Sequence, residues 1–189
     1  MIFSACHSDD SNEPISGSYL PLQIGNYWNF EGNELNSNSK IHREVVALAT
    51  IENLEYYLVV NSATNGNYSY KDSSYYRVTN DGNVYIYRKN SDGPEDNRFR
   101  LNAKDGDTWS YSKGSDGVAN ITVSVSSLTL NGKEIGNCKS YYFDMQNWAD
   151  EENTIVLGPG IGFVKEYSDA WGLGYTLKSA RINGQDFNF

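Results

Sequence analysis

Residues 118–126, VANITVSVS, put Ile121, Val123 and Val125 on one side of an extended chain and Thr122, Ser124 and Ser126 on the other. That alternation gives a strand one buried face and one wet face, an arrangement a period of 3.6 residues does not produce. Similar runs recur through the chain, separated by Gly, Asn and Asp. Two are hairpins by their turns: YYRVTNDGNVYIYRK, residues 75–89, around Asp81-Gly82, and LTLNGKEI, residues 128–135, around Asn131-Gly132. Asn-Gly and Asp-Gly tolerate the positive φ of a type I′ turn, and pairing outward from Asn131-Gly132 sets Leu128 opposite Ile135. Further strands are expected at 27–31, 41–51, 55–61, 98–102, 108–112, 138–145, 153–157, 161–167 and 174–182, with no helix. About a dozen closely spaced antiparallel strands must still cover one apolar face. The expected fold is therefore all-β, as two packed curved sheets or a partly closed barrel.

The 189 residues are 39% hydrophobic, enough for one core, and 15 tyrosines favour strands over helices. Residues 19–189 are read as a single domain. Residues 1–18, MIFSACHSDDSNEPISGS, turn after Cys6 to Ser, Asp, Asn, Glu, Pro and Gly, the composition of a flexible tether. A net charge of −9 repels a phosphate backbone, so nucleic acid is not an expected partner. No run approaches the ~18 apolar residues of a membrane-spanning helix.

The chain also echoes itself. Gly25-Asn26-Tyr27-Trp28-Asn29-Phe30 returns as Gly106-Asp107-Thr108-Trp109-Ser110-Tyr111. In the same order each copy is followed by an apolar strand (45–51, 121–125), a Tyr-Tyr pair (56–57, 141–142), a Gly turn before valine (82–84, 162–164) and a short closing strand (99–101, 175–177). Half-units at 19–105 and 106–189, sharing one core, are one reading; common β-sheet grammar is the other. On either, Trp28 with Phe30 and Trp109 with Tyr111 share a face and are expected to be core. Each Tyr doublet, 75–76 included, should send one ring inward and one outward.

Several chemistries lack their parts. GPGIGF, residues 158–163, runs into a strand rather than a helix and has no following Lys-Ser/Thr, so it is a tight connection and no phosphate loop. With only His7 and His42, a His/Cys zinc site lacks ligands and a histidine-activated nucleophile would rest on His42 alone. Cys138 reads as a small buried residue at the start of a strand. NSDGPEDN, residues 90–97, has oxygens without a calcium-loop register, so no metal and no cofactor are expected. Carboxylates remain, and two of them flanking a glycosidic bond would suffice for hydrolysis. The densest group, Asp150-Glu151-Glu152, reads as a solvated loop.

Trp148 in MQNWADEEN and Trp171 in SDAWGLGY differ from the repeated tryptophans, because they sit among Asn, Asp, Glu and Gly in expected loops. An exposed indole beside carboxylates and amides suits a sugar, stacking on the ring face while polar groups meet hydroxyls. The competing reading folds each ring back over the sheet edge as a core plug.

Two stretches carry a resemblance. Phe3-Ser4-Ala5-Cys6 resembles a bacterial lipobox, with Phe3 where leucine is usual, and HSDDS after it resembles the Ser/Asp-rich export signal of Bacteroides-type surface lipoproteins. YLPLQIGNYWNFEG (19–32), GDTWSY, GKEIGNCKSYYF and LGPGIGFVKEY are similar to the layout of uncharacterised secreted lipoproteins of gut and soil bacteria. The resemblance implies that residues 1–18 are a truncated signal remnant and tether. It further implies that Cys6 is acylated and anchors an all-β domain to the outer membrane, facing outward, with the membrane met only through the lipid. It brings no known activity. The expected role is a non-catalytic binding or accessory module with glycan as the leading ligand and Trp148 and Trp171 as contacts. The alternatives are a carboxylate-only glycoside hydrolase and a structural component whose outer tyrosines meet an envelope protein.

Overall fold

The computed structural model describes residues 19–87, 95–113, 117–146 and 148–189; Cys6 and the 1–18 tether lie outside them. Among the described residues, thirteen strands form one antiparallel sheet. They are β1 (Tyr27–Gly32), β2 (Ser39–Ile51), β3 (Leu54–Asn65), β4 (Tyr68–Val78), β5 (Asn83–Tyr87), β6 (Asp96–Arg100), β7 (Thr108–Ser112), β8 (Val118–Leu130), β9 (Lys133–Met145), β10 (Asn153–Gly158), β11 (Gly162–Ser168), β12 (Gly174–Ile182) and β13 (Gln185–Asn188). The order is β6-β5-β4-β3-β2-β1-β12-β11-β10-β9-β8-β7, with β13 added to β12.

Every neighbour on that path except β1/β12 is also consecutive in sequence, so the chain is an up-and-down meander of two six-strand runs joined at β1/β12. The sheet is a partly closed barrel and not two packed sheets. Its open seam lies between β6 and β7, which share no backbone ladder. Side chains bridge the seam instead: the Trp109 indole donates to the Asn97 carbonyl at 3.0 Å, and the Arg100 guanidinium lies 4.8 Å from the Trp109 ring centroid.

The hairpin at Asn131-Gly132 joins two strands of 13 residues and pairs Leu128 with Ile135. The stretches 118–126 and 138–145 are the outer parts of these strands, kinked by a bulge between Ser126 and Leu128. Cys138 is thus mid-strand, fully buried, with its Sγ 3.3 Å from the Ile135 carbonyl. Burial pushes its thiol pKa up, the opposite of what a nucleophile needs. At the Asp81-Gly82 hairpin, residues 88–89 lie outside the described residues.

The echoed motif builds the same local structure twice. Gly25 has φ +88° and Gly106 φ +82°, values that favour glycine. Gly25 N–H donates to Val45 O at 2.8 Å while Val45 N–H donates to Asn26 O at 2.9 Å; Gly106 N–H donates to Val123 O at 2.8 Å while Val123 N–H donates to Asp107 O at 2.9 Å. Each turn therefore pins the start of one strand, β1 or β7, to the next, β2 or β8. The tryptophan that follows points inward. Trp28 is completely buried and Trp109 nearly so. They end one chain of edge-to-face rings through the interior: Trp28 to Phe163 at 5.4 Å, Phe163 to Phe99 at 6.5 Å, Phe99 to Tyr141 at 5.0 Å and Tyr141 to Trp109 at 6.2 Å. Such contacts add about 0.5–1.5 kcal/mol each beyond the area they bury.

Of the Tyr doublets, Tyr141 and Tyr76 join the interior while Tyr142 is exposed and Tyr75 half-exposed. At 56–57 the inward ring is the half-buried Tyr57, which pairs with Tyr76; Tyr56 packs on the outside beneath the Arg77–Glu95 ion pair.

One end of the barrel is plugged by the chain entering it. Leu20 is buried, the Tyr19 hydroxyl donates to Asn137 O at 2.8 Å, and Asn26 Nδ2 donates to Pro21 O at 2.8 Å. Nearby, Gly162 has φ +90°, and a Cβ there would stand 3.0 Å from the Trp28 ring and 3.1 Å from Pro21 Cδ. Gly162→Ala therefore meets both a strained backbone and an overpacked wall, and is expected to lose about 2–4 kcal/mol. Urea unfolding measures it; a shift below about 1 kcal/mol would show that the plug gives way freely.

Candidate functional site

The plugged end carries the β2–β3, β4–β5, β6–β7, β8–β9 and β10–β11 turns, and the opposite end carries the β1–β2, β3–β4, β9–β10 and β11–β12 loops. At this second end the barrel interior opens. A cavity of about 280 Å³ enters between β2, β3 and β4 on one side and β6, β10, β11 and β12 on the other. Its floor is Phe163 and Phe99 from the aromatic chain. Above them the wall turns polar.

Arg43 projects from β2 between Ile41 and Val45, on the strand's inward face, and is buried. Both Glu166 carboxylate oxygens accept from its guanidinium, one at 3.2 Å. Its Nε donates to Asn61 Oδ1 at 2.7 Å, Asn61 Nδ2 donates to Asp72 Oδ1 at 2.8 Å, and the guanidinium lies 4.2 Å from the Phe163 centroid. Burial works against the Arg43 charge, but Glu166, together with Tyr76 and Asp72, more than offsets it and holds the pKa above its ordinary value. Tyr70 and Tyr175 stand at the mouth. The Tyr70 phenol is pushed up by partial burial first and then by Tyr175, Asp72 and Glu166. A second recess of about 370 Å³ shares Arg98, Ile155, Glu166 and Tyr175 with the first and extends it over β10 and β11.

Two bulges aim the side chains. On β6, Phe99 pairs with Val84 and Asn97 with Tyr85, which leaves Arg98 as the extra residue. On β11, Phe163 pairs with Leu157 and Lys165 with Val156, which leaves Val164 extra and turns Glu166 to the inward face. Bulges re-aim side chains in this way next to sites.

Trp148 and Trp171 lie at the same end, on the β9–β10 and β11–β12 loops, and both are exposed, at 51% and 65%. Neither ring is a core plug. The Trp171 indole N–H donates to Asp150 O at 3.1 Å, which ties the two loops together. Trp148 faces a small recess of about 160 Å³ with Lys113, Met145 and Glu151, and Trp171 lines neither this recess nor the cavity and its extension. The two rings share a rim and not a pocket. Of the Asp150-Glu151-Glu152 group, Asp150 and Glu151 are exposed as a solvated loop should be, and Glu152 is half-buried.

His42 is half-exposed on the outer face, its Nδ1 2.7 Å from Asn29 Oδ1. Among the described residues no cluster of three or more His, Cys, Asp or Glu could hold a metal, and no helix is long and apolar enough to cross a membrane. Of the 90–97 stretch, residues 90–94 lie outside the described residues.

The cavity residues form no sequence motif. Arg43 and Asn61 were nonetheless visible as polar side chains in phase with apolar ones, Ile41-x-Arg43-x-Val45 and Val59-x-Asn61-x-Ala63.

No family model and no curated protein matches the sequence. Among solved structures, the chain is similar to a candidate lipoprotein from Parabacteroides distasonis, with 15% identity and a TM-score of 0.48 over 89% of this chain and 98% of that one. It is also similar to a candidate exported protein with a YmcC-like fold from Bacteroides fragilis, with 10% identity and a TM-score of 0.48 over 89% and 98% of the two chains.

Proposed function

We propose that this protein is a non-catalytic binding module for a glycan, held at the outer bacterial surface through a lipid on Cys6. The observation that carries the binding role is the open end of the barrel. There, hydrogen-bonding groups line a cavity beneath a rim of exposed aromatics, the mixed polarity a sugar requires. Tyr70 and Tyr175 offer ring faces at the mouth, and Trp148 and Trp171 extend that surface outward for further sugar units. The chain enters at the plugged end, so a tether leading from Cys6 joins the barrel on the side away from the rim.

Asp72 and Glu166 both face the cavity, which is the one feature favouring hydrolysis instead. A glycosidase needs one carboxyl free to deliver a proton. Glu166 has both oxygens on Arg43 and Asp72 accepts from Asn61, so these two read as wall supports.

A glycan array probed with the full chain tests the reading. Trp171→Ala is expected to weaken binding several-fold with stability within about 0.5 kcal/mol, as suits an exposed side chain. Release of reducing ends from the bound glycan would favour the hydrolase, and an array without signal would sink the glycan reading. Mass spectrometry of the membrane fraction of the native host should find acylated Cys6; an unmodified soluble chain would remove the anchor.

A further inference from the structure

We propose that the interior cavity seats a single acidic sugar unit, a uronic acid, with its carboxylate on Arg98. The inference rests on the glycan reading above and narrows it.

The pairing of charges in the cavity, rather than their sum, points to this class: two cations, Arg43 and Arg98, line it with two anions, Glu166 and Asp72. Arg43 and Glu166 cancel each other in a bidentate pair. Arg98 does not cancel: its Nε is shielded from solvent without a hydrogen-bond partner, and it takes part in no ion pair among the described residues. Its guanidinium lies 5.2 Å from the Phe143 ring centroid. Arg98 lines the cavity without a carboxylate of its own, and a ligand carboxylate can meet the terminal N–H groups of such a guanidinium with two parallel hydrogen bonds. The bulge at Arg98 turns this residue, rather than Asn97, toward the cavity that Arg98 lines.

The rest of the wall selects against a bare anion. Asp72 faces the same space and repels a dianion such as phosphate, while it accepts from a hydroxyl. Ser74, Tyr70 and Asn61 lie in the same wall as further hydroxyl partners. One negative group, several hydroxyls and an apolar ring face describe a uronic acid. About 280 Å³ lies just below the ~300–1,000 Å³ usual for small-molecule pockets, room for one ring rather than a chain.

The test is calorimetry and saturation-transfer NMR on the full chain with sodium D-glucuronate and D-galacturonate, beside glucose, galactose, acetate and inorganic phosphate. At least one uronate should bind more tightly than its neutral parent and than acetate or phosphate. Arg98→Met should weaken uronate binding on the order of 10–100-fold while the unfolding midpoint stays or rises, because the substitution removes an unpaired charge. Arg98→Lys should keep part of the affinity. A purely structural Arg98 would lower stability on substitution and leave the preference for uronate over neutral sugar intact, which overturns the assignment. Equal binding of neutral sugars, with Arg98→Met silent, overturns acid selectivity and leaves the glycan reading standing. Acetate or phosphate binding as tightly as uronate makes the cavity a general anion site and overturns the sugar. No sugar binding in any arm, with a silent glycan array, removes both readings.

Discussion

Arg43→Met is expected to destabilise the protein by about 3 kcal/mol, because it strips the partner from a largely shielded carboxylate and leaves the remaining charge in the barrel wall. Arg43 is only 7% exposed, and its guanidinium serves Glu166, Asn61 and the Phe163 ring at once. Methionine keeps most of the side-chain volume, so the loss isolates the charge rather than a cavity. Removing both partners should differ. In Arg43→Met/Glu166→Leu neither member of the pair is left without its partner, and the double variant is expected to recover most of the stability, as buried ion pairs replaced by apolar residues often do. Urea unfolding of the wild type, the two single variants and the double variant gives the coupling directly. A double variant losing as much as the two single losses combined would mean that the pair is not what Arg43 contributes.

That pair also shows where sequence and structure parted. The alternation in 118–126, the Gly-turn motifs and the two hairpin dipeptides were enough for the class of fold, because period two survives wherever one face is buried. The stretch YSYKDSS, residues 68–74, was not recognisable as the first part of β4. Its inward positions are Tyr70, Asp72 and Ser74, polar because they line the cavity, so the feature that serves the site erases the pattern that marks a strand. β13 is a four-residue edge strand with one half-buried ring, too short to show a period. Glu166 and Arg98 were hidden for a different reason. Counting by twos from Phe163 turns Lys165 inward, and only the bulge at Val164 puts Glu166 there; at β6 the bulged residue is Arg98 itself. A bulge is a property of two paired strands, so it cannot be read from either one. The exposed pair Trp148 and Trp171 was legible because nothing but local composition was needed to place them in loops.

The repeated tryptophans occupy matched places in the two meanders but should fail in different ways. Trp28→Ala removes a fully buried ring and leaves the Ile161 carbonyl, which the indole N–H meets at 2.6 Å, without its donor; a loss of about 3–5 kcal/mol is expected, spread over global unfolding. Trp109 stands at the seam, where its indole links β7 to β6 across a gap with no backbone ladder. β6 holds the sheet on one side only, through β5. Trp109→Ala should therefore free β6 first, so that amide exchange of residues 96–100 rises well before global opening, with a smaller loss of total stability. Because β6 carries Arg98, ligand affinity should fall further in Trp109→Ala than in Trp28→Ala once each is measured well below its own unfolding midpoint. Hydrogen exchange and uronate titration of the two variants decide it. Equal global losses with unchanged exchange at β6 would mean that the seam is as firm as the rest of the barrel, and that the cavity does not depend on the second copy of the motif.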